Sequence, residues 1–110
     1  MHGKISMDEV AGILSAPYTH VELGQVNDHA VYVMHFKGDY PFHKHTKDEL
    51  YLVLEGEIRI RFKNEPEIVL KKHDSVVLRA YTTHSPGSLE GALVLMVKPK
   101  EMFGDPQAHD

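Results

Sequence analysis

Apolar and polar residues alternate with a period of two along most of this chain, and that alternation predicts strands. It is clearest where Ile58, Ile60 and Phe62 interleave with Glu57, Arg59, Arg61 and Lys63, giving one apolar face and one charged, solvated face. Val21 and Leu23 predict an earlier strand. Tyr32, Met34 and Phe36 then alternate with Val31, Val33 and His35, which predicts a strand buried on both faces. Residues 49–54, Ile68–Leu70, Ser75–Leu78 and residues 92–97 add further short strands, with Glu55-Gly56-Glu57 reading as a tight hairpin turn. Only the beginning departs from this period. Ser6-Met7-Asp8-Glu9 has capping-box spacing, and Val10, Ile13 and Leu14 follow at helical spacing before Pro17, predicting one short helix over about residues 6–15.

Many short strands punctuated by turn residues predict an all-β sandwich or barrel. With 110 residues there is room for one domain and a single core. The barrel is expected over about residues 18–97, leaving 98–110 as a loose tail that could cap a neighbour. Apolar residues at 42% and charged residues at 25% are ordinary globular usage. A formal charge of −4 offers no basic footprint, so nucleic acid is not an expected partner. The longest apolar runs are too short to span a bilayer and no apolar leader opens the chain, so no membrane association is expected and the cytoplasm is the expected location. There is no cysteine, so a metal would have to be held by nitrogen and oxygen donors.

Nine histidines make that possibility concrete. His43 and His45, at i and i+2 on an extended segment, project from one face with α-carbons roughly 6.5 to 7 Å apart. Glu49 brings a carboxylate where the next strand begins, sharing its face with Tyr51 and Val53. His84 follows the strand Ser75–Leu78, which a closed barrel can lay beside that one. Three imidazoles and a carboxylate suit one divalent transition metal per chain (iron, manganese, nickel, cobalt or zinc), and an octahedral ion would keep open positions for water or substrate.

Gly38, His43, His45, Glu49 and Gly56 resemble the first motif of the cupins, a glycine followed by H-x-H-x3-E-x6-G, with four residues instead of five between Gly38 and His43. The second motif, G-D-x4-P-x-G-x2-H-x3-N, aligns without gaps to 73–88 but keeps only Asp74 and His84. His73 and Tyr81 replace its glycines, Arg79 its proline and Ser88 its asparagine. The resemblance implies a double-stranded β-helix, or jelly-roll barrel, with His43, His45, Glu49 and His84 as metal ligands and a small polar organic molecule as ligand. It also implies a homodimer, because the family commonly pairs barrels by sheet edges. It leaves several activities open: dioxygen-dependent cleavage, decarboxylation, sugar or sugar-phosphate isomerisation, or small-molecule binding without turnover. Oxygenase chemistry ranks first on the ligand set. His35, Tyr51 and Arg79 are the candidate substrate contacts: a strand histidine beside Val33, a barrel tyrosine, and a guanidinium able to meet a carboxylate or phosphate. His20, His29 and His73 sit beside turns or strand ends and are expected to face solvent.

Overall fold

The computed structural model describes residues 2–102. Helix α1 (Met7–Ile13) precedes seven strands: β1 (His20–Val26), β2 (His29–Asp39), β3 (Glu49–Glu55), β4 (Ile58–Phe62), β5 (Ile68–Leu70), β6 (Ser75–Leu78) and β7 (His84–Pro99). A 3-10 turn at Lys100–Met102 follows. Every strand pairing is antiparallel. No helix among the described residues is long and apolar enough to cross a membrane.

β7 organises the barrel. Its first segment, His84 to Gly87, pairs with β4, and its second, Leu93 to Val97, pairs with β3, while β2 runs beside both. β3 and β4 therefore pair with different segments of one strand and not with each other, so the hairpin expected at Glu55-Gly56-Glu57 is instead a crossover. Its chemistry is that of a corner. Gly56 has φ +82, and a Cβ placed on it would stand 2.5 Å from the Gly91 carbonyl oxygen of β7, itself in a residue with φ +108. Two residues without side chains let the chain change partners at close quarters.

The alternation predicted for β4 holds: Ile58 and Ile60 are buried and Arg59 is exposed. Tyr32 and Phe36 of β2, Tyr51 and Val53 of β3, and Val94 and Met96 of β7 join them in the barrel interior. Each such buried side chain contributes about 1.5 to 3 kcal/mol. The opposite face of β2 is covered too, because Val10 and Leu14 pack on Val33 in a second cluster. This is why β2 is apolar on both faces. α1 is shorter than 6–15, and the Ser6 hydroxyl makes no capping bond. The helix is held by its buried face, with Ser6 contributing only its carbonyl to the Val10 N–H.

The two residues that stand in place of the second motif's glycines keep a glycine-like backbone: His73 has φ +75 and Tyr81 φ +63. A side chain in this region costs about 1 to 2 kcal/mol, offset by the roughly 0.4 to 1 kcal/mol by which a non-glycine residue lowers unfolded-chain entropy. Both side chains are exposed, so little packing is at stake. His73→Gly and Tyr81→Gly are each expected to stabilise the fold by about 0.5 to 1 kcal/mol, read as a higher urea midpoint at unchanged slope. A lower midpoint in both would contradict this account of the turns.

Candidate metal centre

The segment carrying His43 and His45 is not a regular strand. His43 forms an isolated bridge to His84, with its N–H donating to the His84 carbonyl at 3.0 Å and the reverse bond at 2.9 Å. The first histidine and the far-downstream one are thus cross-strand neighbours. His45 is positioned differently, by its carbonyl accepting from Tyr81 N–H at 2.8 Å. Glu49 opens β3, where its register partner is Leu78 of β6.

The four side chains converge. One ligand atom from each of His43, His45, Glu49 and His84 lies within 4.8 Å of all the others, and all four residues are buried. Glu49 Oε1 stands 3.3 Å from His45 Nε2 and 3.4 Å from His84 Nε2. The orientation of two rings is fixed from behind, His43 Nδ1 lying 2.9 Å from the Pro41 carbonyl and His84 Nδ1 2.7 Å from that of Thr82. A carbonyl only accepts, so Nδ1 of each ring carries a proton and Nε2 is turned to the centre. Burial pushes the His43 imidazole down to about 4, against its bond to the Pro41 carbonyl, so this ring is neutral near pH 7. Burial would push Glu49 up, but the His45 and His84 side chains, followed by the charge of Lys98, hold it well below the usual carboxylate range.

This arrangement leaves Glu49 Oε1, Glu49 Oε2 and His84 Nε2 buried without a hydrogen-bond partner. An unsatisfied buried acceptor costs about 1 to 3 kcal/mol, more for a charged group. Here a carboxylate oxygen and an imidazole nitrogen stand 3.4 Å apart without a hydrogen bond between them. A cation between them satisfies all three atoms, and the donor set of imidazole nitrogen and carboxylate oxygen is that of a divalent transition metal. The residues fit such an ion.

Beside them lies a small cleft of about 60 Å³, lined by Tyr18, Tyr32, Met34, Phe36, Tyr40, Tyr51, Met96 and Lys98 together with His43, His45 and Glu49. Larger grooves of about 330 and 350 Å³ flank residues 87–91, but they hold none of the buried titratable groups that mark a chemical site. Of the three predicted substrate contacts, only Tyr51 lines the cleft. Burial, and next the Glu49 charge, push its hydroxyl well above the ordinary tyrosine value, so it remains a neutral phenol. His35 is on the other face of β2: because Tyr32, Met34 and Phe36 point inward, His35 points with Val33 toward the α1 side, where its Nδ1 lies 3.2 Å from the Ala16 carbonyl. Arg79 is exposed and bonded to Asp48 at 3.1 Å, while Asp48 also accepts from Ala80 N–H at 2.8 Å. Arg79 therefore ties the loop before Glu49 to the loop before His84 and does not reach the cleft.

Lys98 was missed. It lay at the start of the expected tail, yet the inward series Ala92, Val94 and Met96 continues to it by the same period of two, and it is buried in β7. Arg61 is likewise more than surface charge, since it donates to Ser85 Oγ at 2.9 Å, and that hydroxyl donates to the Tyr40 carbonyl at 2.6 Å. The pair braces the segment leading to His43. Most of the predicted tail, 103–110, lies outside the described residues.

Residues 30–100 match the family described as Cupin domain. The chain is 36% identical over 93 residues to the uncharacterized protein YdbB of Bacillus subtilis (strain 168), covering 84% of this chain and 82% of that one. Among solved structures, a cupin-2 domain containing protein from Shewanella frigidimarina NCIMB 400 superposes with a TM-score of 0.82 at 21% identity, covering 87% of this chain and 94% of that one. A hydroquinone 1,2-dioxygenase, PnpCD, solved with Cd2+ and 4-hydroxybenzonitrile, superposes with a TM-score of 0.72 at 19% identity, over 93% of this chain and 73% of that one. At these identities the two structures speak to the fold alone.

Proposed function

The chain belongs to the cupin domain family, and from that premise we propose that it binds one divalent transition metal through His43, His45, Glu49 and His84 and uses it on a small organic molecule, with dioxygen-dependent cleavage as the leading reaction class. The observation that carries the reading is the trio of buried, unpartnered atoms, both Glu49 oxygens and His84 Nε2, which a cation would satisfy together. An ion held there supplies Lewis acidity toward a substrate oxygen and, if redox-active, dioxygen chemistry.

The chain's own groups set the rest. His43 and His84 are pre-aligned by the Pro41 and Thr82 carbonyls, so little ordering is needed when a ligand arrives. Tyr51 keeps its proton and can donate a hydrogen bond to a substrate oxygen beside Glu49. Phe36, Met34 and Met96 give the cleft an apolar part to its lining. That apolar lining supports a substrate with an apolar body over a sugar phosphate, whose many hydroxyls would need more polar partners. The structural likeness to a hydroquinone dioxygenase is compatible with this choice.

Elemental analysis after loading with iron(II), manganese(II) or zinc(II) in separate samples should find about one ion per chain. The iron-loaded protein should then consume dioxygen with at least one member of a panel of small phenols, diols and carboxylates. Failure to retain any of the three metals would overturn the ligand assignment. Stoichiometric iron without oxygen uptake would overturn the oxygenase assignment and favour a binding module.

A further inference from the structure

The antiparallel pairing of β3 with β6 ends at the rung Glu49–Leu78, where the metal ligands begin. Beyond it the two chains stay joined by other means. The Asp48 carboxylate accepts the Ala80 N–H at 2.8 Å through Oδ1 and an Arg79 guanidinium N–H at 3.1 Å through Oδ2, and the His45 carbonyl accepts the Tyr81 N–H at 2.8 Å. A charge-assisted bond from a side chain thus stands where a backbone rung would come next. Both ends of the link carry ligands. Asp48 lies directly before Glu49 in the loop that follows His45. Ala80 lies in the turn from Arg79 to Thr82, closed by the Thr82 N–H donating to the Arg79 carbonyl at 3.3 Å, with Tyr81 at φ +63. The Thr82 carbonyl at the end of that turn is the acceptor that orients His84 Nδ1 at 2.7 Å. One carboxylate therefore connects the loop bearing His45 and Glu49 to the group that aims His84.

We propose that Asp48 is a positioning residue for the metal site, whose bond to the Ala80 N–H holds the Glu49 carboxylate and the His84 ring at ligating distance and so sets the affinity for the ion, an inference that rests on the metal assignment above. With that bond in place, Glu49 Oε1 stands 3.3 Å from His45 Nε2 and 3.4 Å from His84 Nε2. Of the two bonds Asp48 makes, the one to the backbone carries the role. The Arg79 pair joins two exposed side chains, a class of contact that contributes little, and a guanidinium can swing into solvent. The Ala80 N–H is fixed in direction by the turn. Losing an outer partner of a metal ligand typically lowers affinity by about 10- to 100-fold, and Asp48 acts through the turn, so the lower end of that range is expected.

The test measures zinc affinity by competition with a chromophoric chelator for wild type, Asp48→Ala, Asp48→Asn, Arg79→Ala and Asp74→Ala, together with the urea midpoint of each zinc-free protein. Asp74 is the control, because its Oδ2 accepts the Lys71 N–H at 2.9 Å in an exposed turn that carries no ligand. Asp48→Ala should weaken zinc binding by about 10-fold. Asp74→Ala should change it by less than about 2-fold at a comparable loss in urea midpoint. Asp48→Asn keeps an oxygen for Ala80 and should stay within about 3-fold of wild type, as should Arg79→Ala. Unchanged zinc affinity in Asp48→Ala overturns the proposal, and so does a loss in Arg79→Ala as large as that in Asp48→Ala. An equal loss in Asp74→Ala, or failure of Asp48→Ala to fold, overturns it as well, since either makes Asp48 a residue of general stability. Wild type that binds no zinc overturns the ligand assignment itself, and that result is read without any variant.

Discussion

Replacing His84 with alanine is expected to cut metal affinity at least about 100-fold, so that a protein holding about one ion per chain retains only a small fraction after dialysis. Removing even an outer partner of a metal ligand typically costs 10- to 100-fold, and His84 is one of the four converging donors, 1% exposed and locked by the Thr82 carbonyl. The same change has a thermal signature. At free zinc near 100 times its dissociation constant, binding to the folded state alone adds about 2.7 kcal/mol, which raises the unfolding midpoint of a domain this size by roughly 10 °C or more. Wild type should show that rise and His84→Ala should not. An equal zinc-dependent rise in both proteins would remove His84 from the ligand set. Truncation also deletes the unsatisfied Nε2, so the metal-free variant loses packing but sheds one orphaned acceptor.

Gly56→Ala is expected to be the most damaging glycine-to-alanine change among the described residues, lowering stability by about 3 kcal/mol. Two effects add. The backbone at φ +82 penalises any Cβ, and the new methyl would lie 2.5 Å from the Gly91 oxygen and 3.0 Å from the Ala92 α-carbon. Both obstacles are backbone and cannot rotate away, so the corner where β3 hands over to β4 must open against β7. The opposing gain from a less flexible unfolded chain is only about 0.4 to 1 kcal/mol. A loss near 3 kcal/mol is a large share of the 5 to 15 kcal/mol that holds an ordinary domain together. Gly12→Ala in α1 provides the contrast, because nothing lies within 4 Å of its Cβ position and alanine favours helix by about 0.5 to 1 kcal/mol. Urea denaturation of the two variants should move in opposite directions. A Gly56→Ala midpoint equal to wild type would mean that the corner is looser than its geometry indicates.

How much of this was legible in the residues depends on how far apart in the chain the relevant partners are. His43, His45 and Glu49 lie within one short stretch, and their spacing alone was enough to suggest convergence. The strands of β4 and β2 followed from period-two patterning, which is equally local. The crossover at Gly56 was not legible as such, because a glycine between two glutamates serves a hairpin and a change of sheet partner equally well. Only the pairing of both flanking strands with distant segments of β7 separates the two. His35 was misplaced for a related reason. A strand apolar on both faces does not reveal which face is interior until something, here α1, is known to cover the other. Arg79 needed a partner thirty-one positions away, Asp48, to reveal that it clamps loops together. Lys98 was hidden by its own charge, since a lysine at the end of an apolar series reads as the series stopping. Its inward neighbours Val94 and Met96 set the parity that places it in the cleft.

The role of β7 as shared partner of β2, β3 and β4 also sets the order of events in biosynthesis. During translation, His43, His45 and Glu49 leave the ribosome well before His84, and they do so with the strand that must flank them not yet made. A barrel whose pairings span so much of the sequence cannot close step by step as it emerges. A metal encountering the nascent chain therefore meets an incomplete and unanchored set of donors. Capture of an ion by these four residues is consequently coupled to the docking of β7 beside β3 and β4.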